Sequence, residues 1–180
     1  MRKMPTIFVR NHENMGEILN EQHHECEWVF SGEGVAKRKY DGTCCKVESG
    51  TLWKRREVKP GKKIPAGFVE EQLDLNTGKR VGWMPVKKPA DKQDKYHCEA
   101  FNGQKDGTYE LIGPKIQGNP EGIDRHVLVA HAKAEIFEDC PRDFDGLKKW
   151  LANHDIEGIV FHHSDGRMAK IKKRDFALKR

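Results

Sequence analysis

The chain has 180 residues, with 33 Lys and Arg against 28 Asp and Glu for a formal net charge of +5, so it can bury one core without staples and is read as a single domain over residues 1–180. The mild positive excess suits a polyanionic partner without demanding one. Five cysteines (Cys26, Cys44, Cys45, Cys98, Cys140), odd in number and without a CxxC pair, argue against a disulfide framework, and no apolar h-region or membrane-length run is present, which predicts a soluble protein in a cytoplasmic or other intracellular reducing compartment.

The predicted elements are mostly strands. His23, His24 and Cys26 near the start are candidate metal ligands, but no second ligand pair answers them, and they are read as solvated surface residues. Trp28–Phe30 and Gly34–Ala36 read as strands leading to a turn at Lys39, Tyr40, Asp41 and Gly42, and Thr43–Val47 returns through Glu48, Ser49 and Gly50 into Thr51–Trp53. The stretch Arg56–Lys95, rich in Lys, Pro and Gly, reads as a long connection with a hairpin turn at Asn76-Thr77-Gly78. Val127–Ile136 is predicted as a strand. Asp143 caps a helix that places Phe144, Leu147, Trp150 and Leu151 on one face. Ile156–His162 and Met168–Ile171 form a last hairpin through Ser164-Asp165-Gly166, and a basic tail follows, with seven Lys and Arg in the last fourteen residues against Asp175 alone.

Alternation along Lys170-Ile171-Lys172 puts both ammonium groups on one strand face and Ile171 in the core. By itself this is a basic strand edge. Lys46 and Lys54 are read as solvated lysines, and Gly118-Asn119-Pro120 only as a turn.

The order of KYDG (39–42), LWKR (52–55), YELIGPKIQGNP (109–120), EGIVFHHSDG (157–166) and KIK (170–172) resembles the covalent nucleotidyltransferase superfamily of DNA ligases, RNA ligases and capping enzymes. Within it, KYDGTCC, GWMPV, ELIGPKIQGNP and EGIVFHHSDG are most similar to the stand-alone ATP-dependent 5′-to-3′ RNA ligases of vertebrate type, over about Lys39–Lys172. The resemblance implies an α+β fold: a nucleotidyltransferase (adenylation) domain of antiparallel sheets flanked by helices. Only eight residues follow Lys172, which leads to the expectation of no OB-fold domain.

The resemblance also implies roles. Lys39 is the nucleophile that takes AMP from ATP, and Asp41 and Gly42 shape the turn that presents it. A lysine attacks only as the neutral amine, against an ordinary pKa of about 10.4; Lys170 and Lys172 would help keep it neutral and would neutralise phosphate charge. Arg38 and Lys37, where many ligases carry an acidic residue, would add to that effect. Glu110 accepts from the ribose hydroxyls, Arg55 binds nucleotide or acceptor phosphate with Arg56 in reserve, and Glu157 stands near the α-phosphate and the metal, Mg²⁺ or Mn²⁺. His131 is the one ring in Val127–Glu135 available to stack on adenine, with a satisfied histidine as the competing reading. RNA ends are the implied partner, with no membrane and no obligate protein partner. The alternatives are a GTP-using capping guanylyltransferase, a DNA nick ligase, or a catalytically idle RNA-binding module.

Overall fold

A computed structural model of the chain describes residues 3–14, 16–75, 77–87, 92 and 94–180, which divide into two compact units. One is formed by residues 4–40 and 134–180, the other by residues 41–133 together with Lys3. Both are built on antiparallel strands, with few and short helices.

The first unit holds β1 (Phe8–Arg10), β2 (Ile18–Gln22), α1 (Glu27–Phe30) and β3 (Val35–Lys39) from the N-terminal stretch. From the C-terminal stretch come α3 (Phe144–Ala152), β10 (Gly158–His162) and β11 (Met168–Lys172). The sheet order is β11-β10-β3, and β1 and β2 pair separately. Its core gathers Phe8 against Phe30, Phe144 and Phe176 at centroid distances of 5.3, 5.1 and 6.3 Å. Asp143 caps α3 as expected, its side chain accepting from the Gly146 N–H at 2.8 Å. Leu147 and Leu151 on the predicted face are fully buried, and Phe144 and Trp150 pack beside them.

The second unit carries β4 (Thr43–Glu48), β5 (Thr51–Val58), β6 (Val69–Leu73), β7 (Arg80–Pro85), α2 (Lys95–Ala100), β8 (Gly107–Ile112) and β9 (Val127–Ala130). They form one six-stranded sheet in the order β6-β7-β5-β4-β8-β9. One face buries Cys45, Val47, Leu52, Tyr109 and Leu111 with Ala100 of α2. Ser49 and Gly50 close the β4–β5 hairpin with φ of 50° and 73°, the pair of positive values that a two-residue type I′ turn requires.

Three expectations are corrected. Trp28–Phe30 is helical, one turn whose Trp28 indole donates to the Glu25 carbonyl at 3.1 Å; a short apolar run fits a buried turn as well as a strand, and packing decided. Arg56–Lys95 is not a connection but the end of β5, then β6 and β7 at the sheet edge, and the first residue of α2. β6 is mostly exposed and reads VEEQL, so no apolar alternation marked it. Its turn is closed by the Gly78 N–H to Asp74 carbonyl bond at 2.7 Å and the Asp74 N–H to Lys79 carbonyl bond at 2.9 Å; Asn76 of the predicted turn lies outside the described residues. The predicted strand Val127–Ile136 ends at Ala130, a 3₁₀ turn follows at His131–Lys133, and the boundary between the units falls after Lys133. Helices flank the sheets only weakly, the longest among the described residues being α3 with nine residues. No helix among them is long and apolar enough to cross a membrane.

Candidate functional site

In the first unit, pairing register places the chemistry. β10 lies between β3 and β11, and Gly158 stands opposite Lys39 on one side and Lys172 on the other. Two residues along, Val160 stands opposite Lys37 and Lys170. Because residues in register share a face, four lysines surround Gly158 and Val160 on one side of a three-stranded sheet. Ile171, between Lys170 and Lys172, is fully buried as the alternation predicts.

Glu157 answers two of these cations. Its Oε2 meets Lys39 Nζ at 2.5 Å and its Oε1 meets Lys172 Nζ at 2.6 Å, with all three side chains no more than 16% exposed. Burial works to raise the Glu157 pKa, but Lys39 and Lys172 outweigh it and hold the carboxyl below the ordinary glutamate range. A group with a depressed folded pKa contributes stability that is fully present above its unfolded value, about 4.3, and is lost as pH falls through the folded value. Glu157→Gln is therefore expected to destabilise by about 2 kcal/mol at neutral pH. Thermal melts of the two proteins should converge as pH falls below 4, and a difference independent of pH would refute this account.

Two features missed by sequence reading hold the cluster. A Cβ on Gly158 would lie 2.1 Å from the Ile171 carbonyl oxygen and 2.8 Å from Lys172 Cα, so only glycine lets β10 and β11 approach here. Asp175, 1% exposed, accepts from the Lys172 backbone N–H at 2.9 Å and from Arg10 at 2.9 Å. Gly158 sits inside the 157–161 motif and was visible; Asp175 carried no local signal. Arg38 pairs with Glu135 at 3.4 Å and lies over the Tyr40 ring at 4.9 Å.

In the second unit, β8 brings Glu110 opposite Cys44 of β4 and Val129 of β9, and Arg55 of β5 falls on the same sheet face. Glu110 is 8% exposed, and its Oε2 lies 3.0 Å from His131 Nε2. His131 thus stands beside the carboxylate expected to take the ribose. Burial, then the Glu110 charge, pushes the Cys44 thiol up to about 12, while Arg55 opposes the rise through its charge and a hydrogen bond to the sulfur. Cys44 links the two predicted residues, a role that only the pairing reveals.

Gly42 serves a close approach: a Cβ there would lie 2.2 Å from the Leu111 carbonyl oxygen and 2.9 Å from Glu110 Cγ. The Asp41 N–H donates to Glu121 at 2.9 Å. The chain crosses from one unit to the other between Tyr40 and Asp41, so Lys39 belongs to the first unit and Asp41 and Gly42 to the second.

Neither lysine read as solvated is so. Lys54 points to the core face and pairs with Asp94, which is 1% exposed and also accepts from the Lys87 N–H at 2.8 Å. Lys46 pairs with Glu48 at 2.9 Å and lies over the rings of Trp53 and Trp83 at 5.3 and 5.4 Å. Cys26 is fully buried, with its sulfur directed at the Thr6 carbonyl, which corrects its reading as a surface residue. All five cysteines are free thiols. Among the described residues no three His, Cys, Asp or Glu side chains converge as a cage for a metal ion.

Comparison with known proteins bears on this arrangement. A family model described as RNA ligase 1 matches residues 86–180, just over half of the chain, a span that includes Glu110, His131, Glu157, Lys170 and Lys172. RNA ligase 1 of Danio rerio is 26% identical over 221 residues, covering 81% of this chain and 68% of that protein. RNA ligase 1 of Mus musculus is 25% identical over 266 residues, covering 98% and 80%, and that of Pongo abelii is 25% identical over 267 residues, covering 98% and 81%. With its family model matched across Glu110 and the Glu157–Lys172 pair, this chain belongs to the RNA ligase 1 family.

Proposed function

We propose that the protein is an ATP-dependent RNA ligase that joins 5′-phosphate and 3′-hydroxyl RNA ends through a lysyl-AMP intermediate, on a nucleotidyltransferase fold. The observation that carries this reading is the Lys39–Glu157–Lys172 cluster, two cations on either side of one carboxylate. The Lys39 amine attacks the α-phosphorus of ATP; an N–P bond forms, the bond to the β-phosphate breaks, pyrophosphate leaves and the amine gives up a proton. An RNA 5′-phosphate oxygen then attacks the same phosphorus, the N–P bond breaks, and an adenylated end forms while Lys39 recovers its proton. In the last step a 3′-hydroxyl oxygen attacks the 5′-phosphorus of that end and loses its proton to solvent, a phosphodiester forms, the phosphoanhydride bond breaks and AMP leaves.

The lysine face supplies positive charge where the triphosphate and the RNA phosphate carry negative charge. Lys172 and Lys170 neutralise phosphate oxygens, and Glu157, by giving up its contact with Lys39, frees the amine to reach the α-phosphorus. Glu110 accepts from the ribose hydroxyls, with His131 hydrogen-bonded beside it, and Arg55 takes a phosphate. A divalent ion fits the chemistry of Glu157, since Mg²⁺ or Mn²⁺ needs only one or two carboxylates beside substrate phosphates and water. Such an ion, when bound, would neutralise charge on the α-phosphate and on the departing pyrophosphate. Five free thiols accord with a reducing intracellular compartment.

Intact mass spectrometry after incubation with Mg²⁺ and each of the four nucleoside triphosphates tests the first step, followed by addition of RNA with 5′-phosphate and 3′-hydroxyl ends. The expected result is a gain of one AMP from ATP alone, then release of that mass with appearance of adenylated and joined RNA. A gain of GMP instead would replace the ligase with a capping activity. No covalent gain from any nucleotide would remove lysine chemistry from the account.

A further inference from the structure

Beyond Arg55, β5 runs into a cleft of about 410 Å³ that Arg56, Lys59, Lys62 and Lys63 line together with Glu57. All four cations are exposed and none has an acidic partner among the described residues, whereas Glu57 pairs with Lys79 at 3.6 Å. Like charges lining one cleft repel one another, and among the described residues no carboxylate pairs with them.

The backbone fixes the arrangement. Lys59-Pro60-Gly61-Lys62 is a turn closed by the Lys62 N–H to Lys59 carbonyl bond at 3.2 Å, with Gly61 at φ 72°. Proline at the second position and a left-handed glycine at the third are what a type II turn requires, and they set Lys59 and Lys62 side by side at its ends. The β6–β7 turn supports it, since a Cβ on Gly78 would lie 3.2 Å from the Pro60 ring. Pro65 closes the loop, accepting from the Phe68 N–H at 3.1 Å.

A single anion would satisfy one or two of these cations, whereas a chain of phosphates would satisfy them all. We propose that this cleft binds the phosphate backbone of a single-stranded segment of the RNA substrate, at the end of β5 beyond Arg55. The proposal rests on the RNA-ligase reading for its ligand and on the cleft for its place. Successive residues of a strand point to opposite faces, so β5 carries Arg55 toward Glu110 and Arg56 into the cleft. The cations meet phosphate alone, which predicts affinity without sequence preference and with strong salt dependence.

The test uses the full chain without nucleotide and a 5′-phosphorylated single-stranded RNA of about 12 nucleotides, with binding followed by fluorescence anisotropy between about 50 and 200 mM salt. The triple variant K59Q/K62Q/K63Q is expected to bind at least about tenfold more weakly at the low-salt end, and its slope of log affinity on log salt should be shallower by roughly 2, about 0.7 for each phosphate no longer neutralised. AMP loading from ATP should be unchanged, and K59R/K62R/K63R should restore both affinity and slope. Equal affinity and slope in wild type and triple variant would overturn the proposal, as would a wild-type chain that does not bind RNA. Loss of AMP loading with RNA binding intact would assign the cations to the triphosphate and overturn it too. If the wild-type chain takes no AMP yet binds RNA through these lysines, the cleft stands and the ligase reading falls.

Discussion

Lys39→Ala is expected to abolish AMP loading, by at least ~10³-fold, while leaving the protein able to join RNA whose 5′ end is supplied already adenylated. The physical reason is that in the proposed mechanism only the first two steps make and break a bond to the lysine nitrogen; the last would break a phosphoanhydride and need positive charge, which Lys172 and Lys170 would still provide. The fold should survive. Glu157 keeps its bond to Lys172 at 2.6 Å, so the carboxylate is not left unpaired in its partly buried position. A mass measurement with ATP and a gel assay with adenylated RNA separate the outcomes. Loss of both steps together with a lowered melting temperature would make Lys39 a structural residue. Persistent AMP loading would move the nucleophile elsewhere, and peptide mapping would then examine Lys172, the other lysine on Glu157.

Gly158→Ala should be the most damaging small substitution in the first unit. The added methyl meets the Ile171 carbonyl oxygen at 2.1 Å, a backbone atom that cannot rotate away. Relief requires β11 to move off β10, at a cost of about 2–3 kcal/mol, or roughly 5–10 °C in melting temperature for a chain of this length. The same displacement carries Lys172 away from Glu157. A misplacement of about 1 Å at a reacting centre can cost about 10²-fold in rate, so AMP loading is expected to fall by that order. Unchanged melting and unchanged loading would show that the strands part freely here, and would remove Gly158 from the machinery.

Much of the local structure was legible. Asp143 and the Phe144, Leu147, Trp150, Leu151 stripe specify α3 through a cap and a 3.6-residue period, and Ser49-Gly50 specifies a hairpin through two positive φ values. The Lys170-Ile171-Lys172 alternation correctly buries Ile171. β6 and β7 were legible only through the hairpin turn around Thr77-Gly78, because an edge strand such as VEEQL buries little and therefore needs no apolar period. The turn at Trp28 was misread because three apolar residues fit strand and helix alike. Lys54 was misread because a lysine tied to a buried aspartate forty residues away looks, in one dimension, like any solvated lysine.

The residues themselves determined which chemistry is present: a lysine before Tyr-Asp-Gly, glutamates at 110 and 157, and lysines two apart near the end. Which of them meet was decided by strand register alone. Lys39 and Glu157 are 118 positions apart and are joined because β3 and β11 both pair with β10 at Gly158. Turns, caps and periodicities act over a few residues and leave their mark in the sequence. Pairing between distant strands is settled by the whole core, so the carboxylate shared by two lysines, the thiol between Glu110 and Arg55, and the cations gathered in the 56–65 cleft exist only in the folded chain.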